Sequence, residues 1–158
     1  SDELHGWAVG EFGVIFSTED GGKSWVNQAS GVENVFFSCK ALDNQNVWAV
    51  GIDSLLLHSK DGGKTWERID TGLVKKIPFY QIFFNDPSHA VICGQGIVLY
   101  TEDGGMTWKP SQFKDSIQYN WLFGLCAADG NLWMVGENLR VFKSATNGKE
   151  WEEIAISE

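Results

Sequence analysis

The sequence predicts an all-β chain built as propeller blades, and three observations carry that prediction. An octet of the form S/T-x-D-G-G-x-S/T-W occurs as TEDGGKSW (Thr18–Trp25), SKDGGKTW (Ser59–Trp66) and TEDGGMTW (Thr101–Trp108), with a worn fourth copy, SATNGKEW (Ser144–Trp151). The closing tryptophans are 41, 42 and 43 residues apart, the period of a four-stranded propeller blade. A second motif keeps the same beat: GWAVG ends at Gly10, VWAVG at Gly51, AVICG at Gly94 and LWMVG at Gly136.

One unit resolves into four β-rich runs separated by tight turns. In the second repeat they are residues 35–43, 46–51, 54–59 and 65–70, divided by NQ, ID and KDGGK. The third run of each repeat is apolar rather than alternating (VIF, LLL, IVL, RVF), the pattern of a sheet covered on both faces, which stacked neighbours provide. No pattern of period 3.6 persists for three turns, so no helix is expected. The 18 glycines against 3 prolines read as turn punctuation for many short strands. The blades fall at about 1–30, 31–72, 73–114 and 115–158 as one propeller domain or segment, and the first starts at its second strand. The expected count is therefore about fifteen strands, with the ring incomplete in one chain. Two outcomes fit: a segment of a longer propeller, or a homodimer completing a ring of about eight blades.

The octet reads as a self-sufficient corner. Asp20, Asp61 and Asp103 can accept backbone amides ahead of them, and the hydroxyls of Thr18, Ser59, Thr101 and Ser144 can tie the base of the loop. Gly22, Gly63, Gly105 and Gly148 tolerate positive φ. Trp25, Trp66, Trp108 and Trp151 are expected to fold beneath their turns as anchors, each burying roughly 150–250 Å². A calcium loop needs alternating oxygen donors and a distant glutamate, whereas DGGKTWER offers one aspartate followed by lysine. A phosphate loop needs a longer glycine run leading into a helix. Neither fits.

These octets resemble the Asp-box, or bacterial neuraminidase repeat, and GWAVGEFGVIFSTEDGGKSW is similar to the repeats of photosystem II stability and assembly factor-like propellers. The resemblance covers nearly the whole chain. It implies a structural hairpin at the blade periphery, remote from the binding face, together with a non-catalytic assembly or scaffold role and an extracytoplasmic setting. The fourth copy departs from the pattern, with Thr146 in place of aspartate and Asn147 in place of the first glycine. A turn survives that change; a ligand set does not.

Composition narrows the function. The 12 basic residues against 21 acidic ones leave a net charge of −9, which repels a phosphate backbone, so nucleic acid is not expected as a partner. No apolar run approaches a membrane span, and Ser1–Leu4 does not begin a signal peptide. Cys39, Cys93 and Cys126 each lie in an apolar run and read as buried free thiols. His5, His58 and His89 occupy unrelated positions with no metal-ligand spacing, and neither a metal nor a cofactor is expected. A sialidase-type site, by resemblance, needs three arginines, and the chain has only Arg68 and Arg140. A glucanase-type site needs two facing carboxylates; Asp53, Asp86, Asp115, Asp129 and Glu137 are candidates that the sequence leaves unpaired.

Recognition is expected where the repeats stop agreeing. The links 71–81 and 109–121 are longer than a turn requires and gather at the end opposite the octets. They carry Lys75, Lys76, Phe79, Tyr80, Phe113, Lys114, Tyr119 and Trp121. Of these, Lys75, Lys76, Tyr80, Lys114, Tyr119 and Trp121, together with Arg140, are the candidate contacts for a protein or peptide partner. The aromatics have a competing role as the first residues of the innermost strands, packed between blades. The reading is a non-enzymatic interaction scaffold, with a glycosidase-like propeller as the alternative and a structural segment of a larger surface or secreted protein as a third.

Overall fold

The computed structural model describes residues 2–114, 116–117 and 120–156. Among them are sixteen strands in four sheets, each the blade of a β-propeller, and no helix. The chain divides into two compact units, 1–79 and 80–158.

The first unit holds two sheets. In one, β1 (Gly6–Val9), β2 (Val14–Thr18) and β3 (Val26–Ala29) pair in sequence order; in the other, β4 (Phe36–Ala41), β5 (Val47–Gly51), β6 (Leu55–Ser59) and β7 (Glu67–Arg68) do the same. Every pairing here is antiparallel, as expected where the connections are tight turns. β5 and β6 are buried at every position, so the uninterrupted apolar runs do mark strands covered on both faces. In β2 the burial is interrupted and Phe16 is 38% exposed. Ile15, Phe36, Ala49, Leu55 and Leu57 form the core between the two sheets, with Trp7 and Trp66 packed against it.

The second unit holds β8 (Phe79–Phe84), β9 (Ala90–Gly94), β10 (Val98–Thr101) and β11 (Lys109–Pro110) in one sheet, β8 beginning one residue before the unit boundary. The other sheet contains β13 (Leu122–Ala128), β14 (Asn131–Gly136), β15 (Val141–Ser144) and β16 (Glu150–Ile154). It also contains a strand the repeat does not announce. β12 (Gln112–Phe113) leaves β11 after a single residue, Ser111, and pairs in parallel with β16, making a fifth strand. The fifteen expected strands are thus joined by one more, drawn from the link 109–121. It caps an edge that would otherwise present unpaired amides. Phe113 stacks on Trp151 with centroids 6.3 Å apart, over a core of Leu122, Met134 and Phe142.

The octets fold as their chemistry dictates. In the first three copies the leading hydroxyl donates to aspartate Oδ1 at 2.8, 2.8 and 2.7 Å and accepts the amide of the second glycine at 3.0, 2.7 and 3.0 Å. The same Oδ1 accepts the amide of Ser24, Thr65 or Thr107 at 2.9 Å, and Oδ2 accepts that residue's hydroxyl at 2.6 Å. These bonds hold Asp20 and Asp61 at a pKa of about 2, chiefly through the hydroxyls of Ser24 and Thr65. At Asp103 burial pushes upward, and the bonds from Thr107 and Thr101 outweigh it to the same value of about 2. Both glycines of each copy have positive φ. In the worn copy Asn147 takes the first of these conformations (φ 53), a role to which asparagine is suited. Thr146 Oγ1 accepts the Glu150 amide at 2.9 Å, so a hydroxyl does the carboxylate's work. Thr101, 1% exposed, should therefore respond to isosteric replacement. Thr101→Val is expected to cost about 2 kcal/mol in urea denaturation, since it strips the Gly105 amide of its acceptor and Asp103 of a donor.

Three expectations need correction. The octet tryptophan is not buried by its own turn. Trp108 and Trp151 are 7% and 3% exposed, but Trp25 is 45% exposed although its indole makes the same bond to its own turn, Nε1 to Gly22 O at 3.2 Å. Local geometry seats the ring; only an adjoining sheet covers it. Nor are the histidines unrelated. His5 and His89 occupy the same place in the turn before the second strand of a blade, each with Nδ1 2.9 Å from the aspartate three residues earlier, Asp2 or Asp86. In the second repeat Asn46 stands there and donates to Asp43. Those aspartates also cap two amides each. His58 differs from them: it is 9% exposed and stacks on Trp48 with ring centroids 3.7 Å apart. Among the thiols Cys93 is buried, which raises its pKa to about 12, and Cys39 is partly buried, whereas Cys126 is exposed, contrary to expectation, because it projects from the uncovered face of β13.

Candidate protein-binding face

The octet amides of Gly21, Gly62 and Gly104 each donate at 2.9 Å to the turn or segment just before a second strand (Leu4, Gln45 and Ser88 carbonyls), so both sets of turns share one end of each blade. The other end carries the turns between second and third strands and the links between blades. Three of those turns use paired positive-φ residues, Phe12–Gly13, Asp53–Ser54 and Asn138–Leu139, as tight hairpins of matching twist require. The amides of Gly13, Ser54 and Gly96 then donate to the carbonyls of Asn34, Ile77 and Asn120 at 2.8, 2.7 and 2.7 Å. Each link is thereby fastened to the neighbouring hairpin, and its side chains stand on a rigid frame.

In the first unit this frame supports a cleft of about 390 Å³ lined by Asp53, Ser54, Arg68, Asp70, Lys75 and Lys76. Ser54 Oγ accepts the Ile77 amide at 3.1 Å and donates to the carbonyls of Lys75 and Ile77, fixing the link that carries both lysines. Val74 beside them is fully exposed. The cleft joins three cations to two carboxylates in a chain whose net charge is −9, a local reversal of sign.

In the second unit the same end gathers aromatics. Tyr80, on the innermost strand β8, meets Trp121 and Phe123 with centroids 6.3 and 5.5 Å away, and Trp121 and Phe123 meet edge-on at 6.0 Å. Trp121 and Phe123 are each 46% exposed. Gln81 holds the two inner strands together, accepting the Leu125 amide at 2.6 Å and donating to its carbonyl at 3.3 Å. Burial, with Glu137 adding to it, raises the Tyr80 phenol. Sequence reasoning named Tyr80 and Trp121 and missed Phe123, although a residue two positions from Trp121 shares its face of a strand.

The remaining candidates separate. Arg140 is engaged internally, donating to Asn120 Oδ1 at 2.6 Å and to both Glu153 oxygens at 2.9 and 2.7 Å, with its guanidinium over Phe142. That pairing lowers the Glu153 pKa. Lys114 is exposed after β12. Tyr119 and Asp115 lie outside the described residues. Of the other carboxylates, Asp86 caps its own turn and Asp129 sits in the equivalent turn of the last blade, both at the octet end. Asp53 Oδ2 accepts Asn34 Nδ2 at 3.4 Å, and Glu137 accepts Asn120 Nδ2 at 3.3 Å. Among the described residues no group of three or more His, Cys, Asp or Glu could hold a metal ion.

The family model described as photosynthesis system II assembly factor YCF48 matches residues 1–79 and again 72–158. The chain belongs to the YCF48 family. Among solved structures it is similar to YCF48 bound to D1 peptide (24% identity, TM-score 0.73, 96% of this chain and 51% of that one). It is likewise similar to YCF48 from Cyanidioschyzon merolae (22% identity, TM-score 0.74, 98% and 53%). An ancestral GH74 enzyme shares the fold at 14% identity (TM-score 0.82), with all of this chain covering 24% of that one. The chain thus spans about half the length of the YCF48 chains it matches. No curated protein matches it.

Proposed function

We propose that this chain is a non-enzymatic, peptide-binding propeller of the assembly-factor kind. The observation that carries the proposal is the aromatic trio: two large rings, each 46% exposed, meet a third on a strand frame braced by Gln81. Rigid aromatics standing at the loop-bearing end of a blade contribute contact area at little entropic cost, the character of a binding hot spot. The relative solved with a D1 peptide supports the same class of partner. Lys75 and Lys76, with Arg68, act as rim charges that steer an acidic segment toward the first unit's cleft, and Lys114 contributes a further exposed charge. The non-enzymatic reading is favoured because Asp86 is spent on its own turn and Asp53 and Glu137 bond to asparagines, while the GH74 likeness is one of fold. As a further protein partner we propose a second copy of the chain, completing a ring of about eight blades.

A D1 peptide is the available probe, and fluorescence anisotropy the measurement. Binding is expected, and Trp121→Ala should weaken it about tenfold or more, whereas Lys109→Ala on the far rim should change it less than about twofold. Absence of binding, or an unchanged affinity in the Trp121 variant, would refute the site.

A further inference from the structure

The fourth blade shows what its outer edge accepts, and the second blade leaves the same edge open. β16 pairs with β15 only over Glu152–Ile154; Glu150 and Trp151 are strand residues because β12 pairs with them. Three contacts seat β12. Ser111 Oγ donates to the Gly148 carbonyl at 2.5 Å, and the Gln112 amide donates to the Lys149 carbonyl at 2.8 Å. The Phe113 ring runs parallel to that of Trp151, 6.3 Å between centroids, and meets Phe142 edge-on at 5.6 Å. Tyr100 of the third sheet packs against the same cluster.

Counted from the octet tryptophans, Gly63, Thr65 and Trp66 stand where Gly148, Glu150 and Trp151 stand. β7 starts only at Glu67, and among the described residues no strand pairs with Thr65 or Trp66. Across the junction, which lies wholly within residues 1–79, is Val26. It pairs with Ser17, two residues from the fully buried Ile15, so it lies on the face of the first sheet that meets the second. Val26 is nonetheless 66% exposed at this internal junction. Ser17 stands where the second unit has Tyr100, so the rim here has neither of the rings, Tyr100 and Phe113, that fill the other. A donor is also left over. Trp25, Trp108 and Trp151 give Nε1 to the carbonyl of their own second glycine, whereas Trp66 Nε1 is buried without a hydrogen-bond partner, a costly state.

We propose that this rim is a second peptide-binding site, at which an extended segment of a partner protein adds to the second sheet as a parallel strand along Thr65–Trp66. The segment carries a hydroxyl-bearing residue two positions before an aromatic one, the pattern of Ser111 and Phe113. Its ring lies between Trp66 and Val26, and its hydroxyl meets the Gly63 carbonyl and the Trp66 indole N–H. Main-chain hydrogen bonds to an otherwise open edge supply affinity, and the place for the ring supplies selectivity. The site stands at the octet end of the blade, opposite the loop-bearing end, and does not depend on the aromatic trio.

The chain's own edge segment supplies the probe: a labelled, end-capped peptide GPSQFG, residues 110–113 between two glycines, titrated by fluorescence anisotropy. Saturable binding to the wild-type chain is expected. Val26→Glu, which sets a carboxylate against the ring, should weaken it about fivefold or more, while Trp121→Ala at the opposite end should change it less than about twofold. The peptide GPSQAG, without its ring, should not saturate. Absence of binding, or an affinity unaltered by Val26→Glu, overturns the site, the second result meaning that the probe displaces β12 or sits elsewhere. Weakening by Trp121→Ala places the probe on the aromatic trio and overturns it equally. Should Val26→Glu fail to fold by circular dichroism, the peptide pair decides alone, and equal binding of GPSQAG and GPSQFG overturns the proposal.

Discussion

Replacing Trp151 by alanine is expected to lower the stability of the chain by about 3–5 kcal/mol, while the same change at Trp25 costs less than about 1 kcal/mol. The two residues close equivalent octets and make the same local bond, Nε1 to the carbonyl of the second glycine, at 3.0 Å for Trp151 and 3.2 Å for Trp25. What differs is the surroundings. Trp151 is 3% exposed, stacked on Phe113 and packed with the core of the second unit; Trp25 is 45% exposed. Truncating the first empties a cavity in a packed core, and truncating the second mostly removes atoms already in water. Urea denaturation followed by far-ultraviolet circular dichroism measures both. Equal losses would mean that the octet's own turn, and not the adjoining sheet, provides the anchor's energy.

Acidification from pH 6.5 to pH 4 is expected to remove up to about 3 kcal/mol of stability through one residue, His58. Burial lowers its pKa from 6.5 to about 4, and the nearby Lys60 charge adds to the effect. Its Nε2 is buried without a hydrogen-bond partner and its ring is stacked on Trp48, a setting for a neutral imidazole. In this window the unfolded chain takes up a proton that the folded chain refuses, so stability falls as the pH drops through 6.5 and levels off below about 4. The octet aspartates act lower. Their depressed pKa values of about 2 stabilise the fold above the ordinary carboxylate range, and that contribution is lost as the pH falls through about 2. His58→Phe, which keeps the stack, should flatten the profile between pH 6.5 and 4 and leave the lower limb intact. A slope that survives the substitution assigns it to another group.

The octet was legible because its bonds are local. Hydroxyl, carboxylate and amide lie within four residues of one another, so residue type and spacing state the geometry, and even the worn copy obeys it through Thr146 and Asn147. The second aspartate turn was equally local but went unseen, since Asn46 breaks the identity that His5 and His89 share. β12 was hidden for a different reason. Two residues carry no periodicity, and their partner strand begins 38 residues later. At the binding end, Tyr80 and Trp121 could be named because they stand in long links. The engagement of Arg140 with Glu153 and Asn120 was invisible, because both partners are distant in sequence.

By itself the sequence determined the blade: its period, its four-strand order, the octet corner and the apolar runs that require cover on both sides. These follow from turn chemistry and from alternation along one strand, which need no distant residue. Only the tertiary structure decided which faces received that cover. Burial is a property of what lies opposite, so the same tryptophan is core at position 151 and surface at position 25, and the same strand position is covered at Val9 and exposed at Val135.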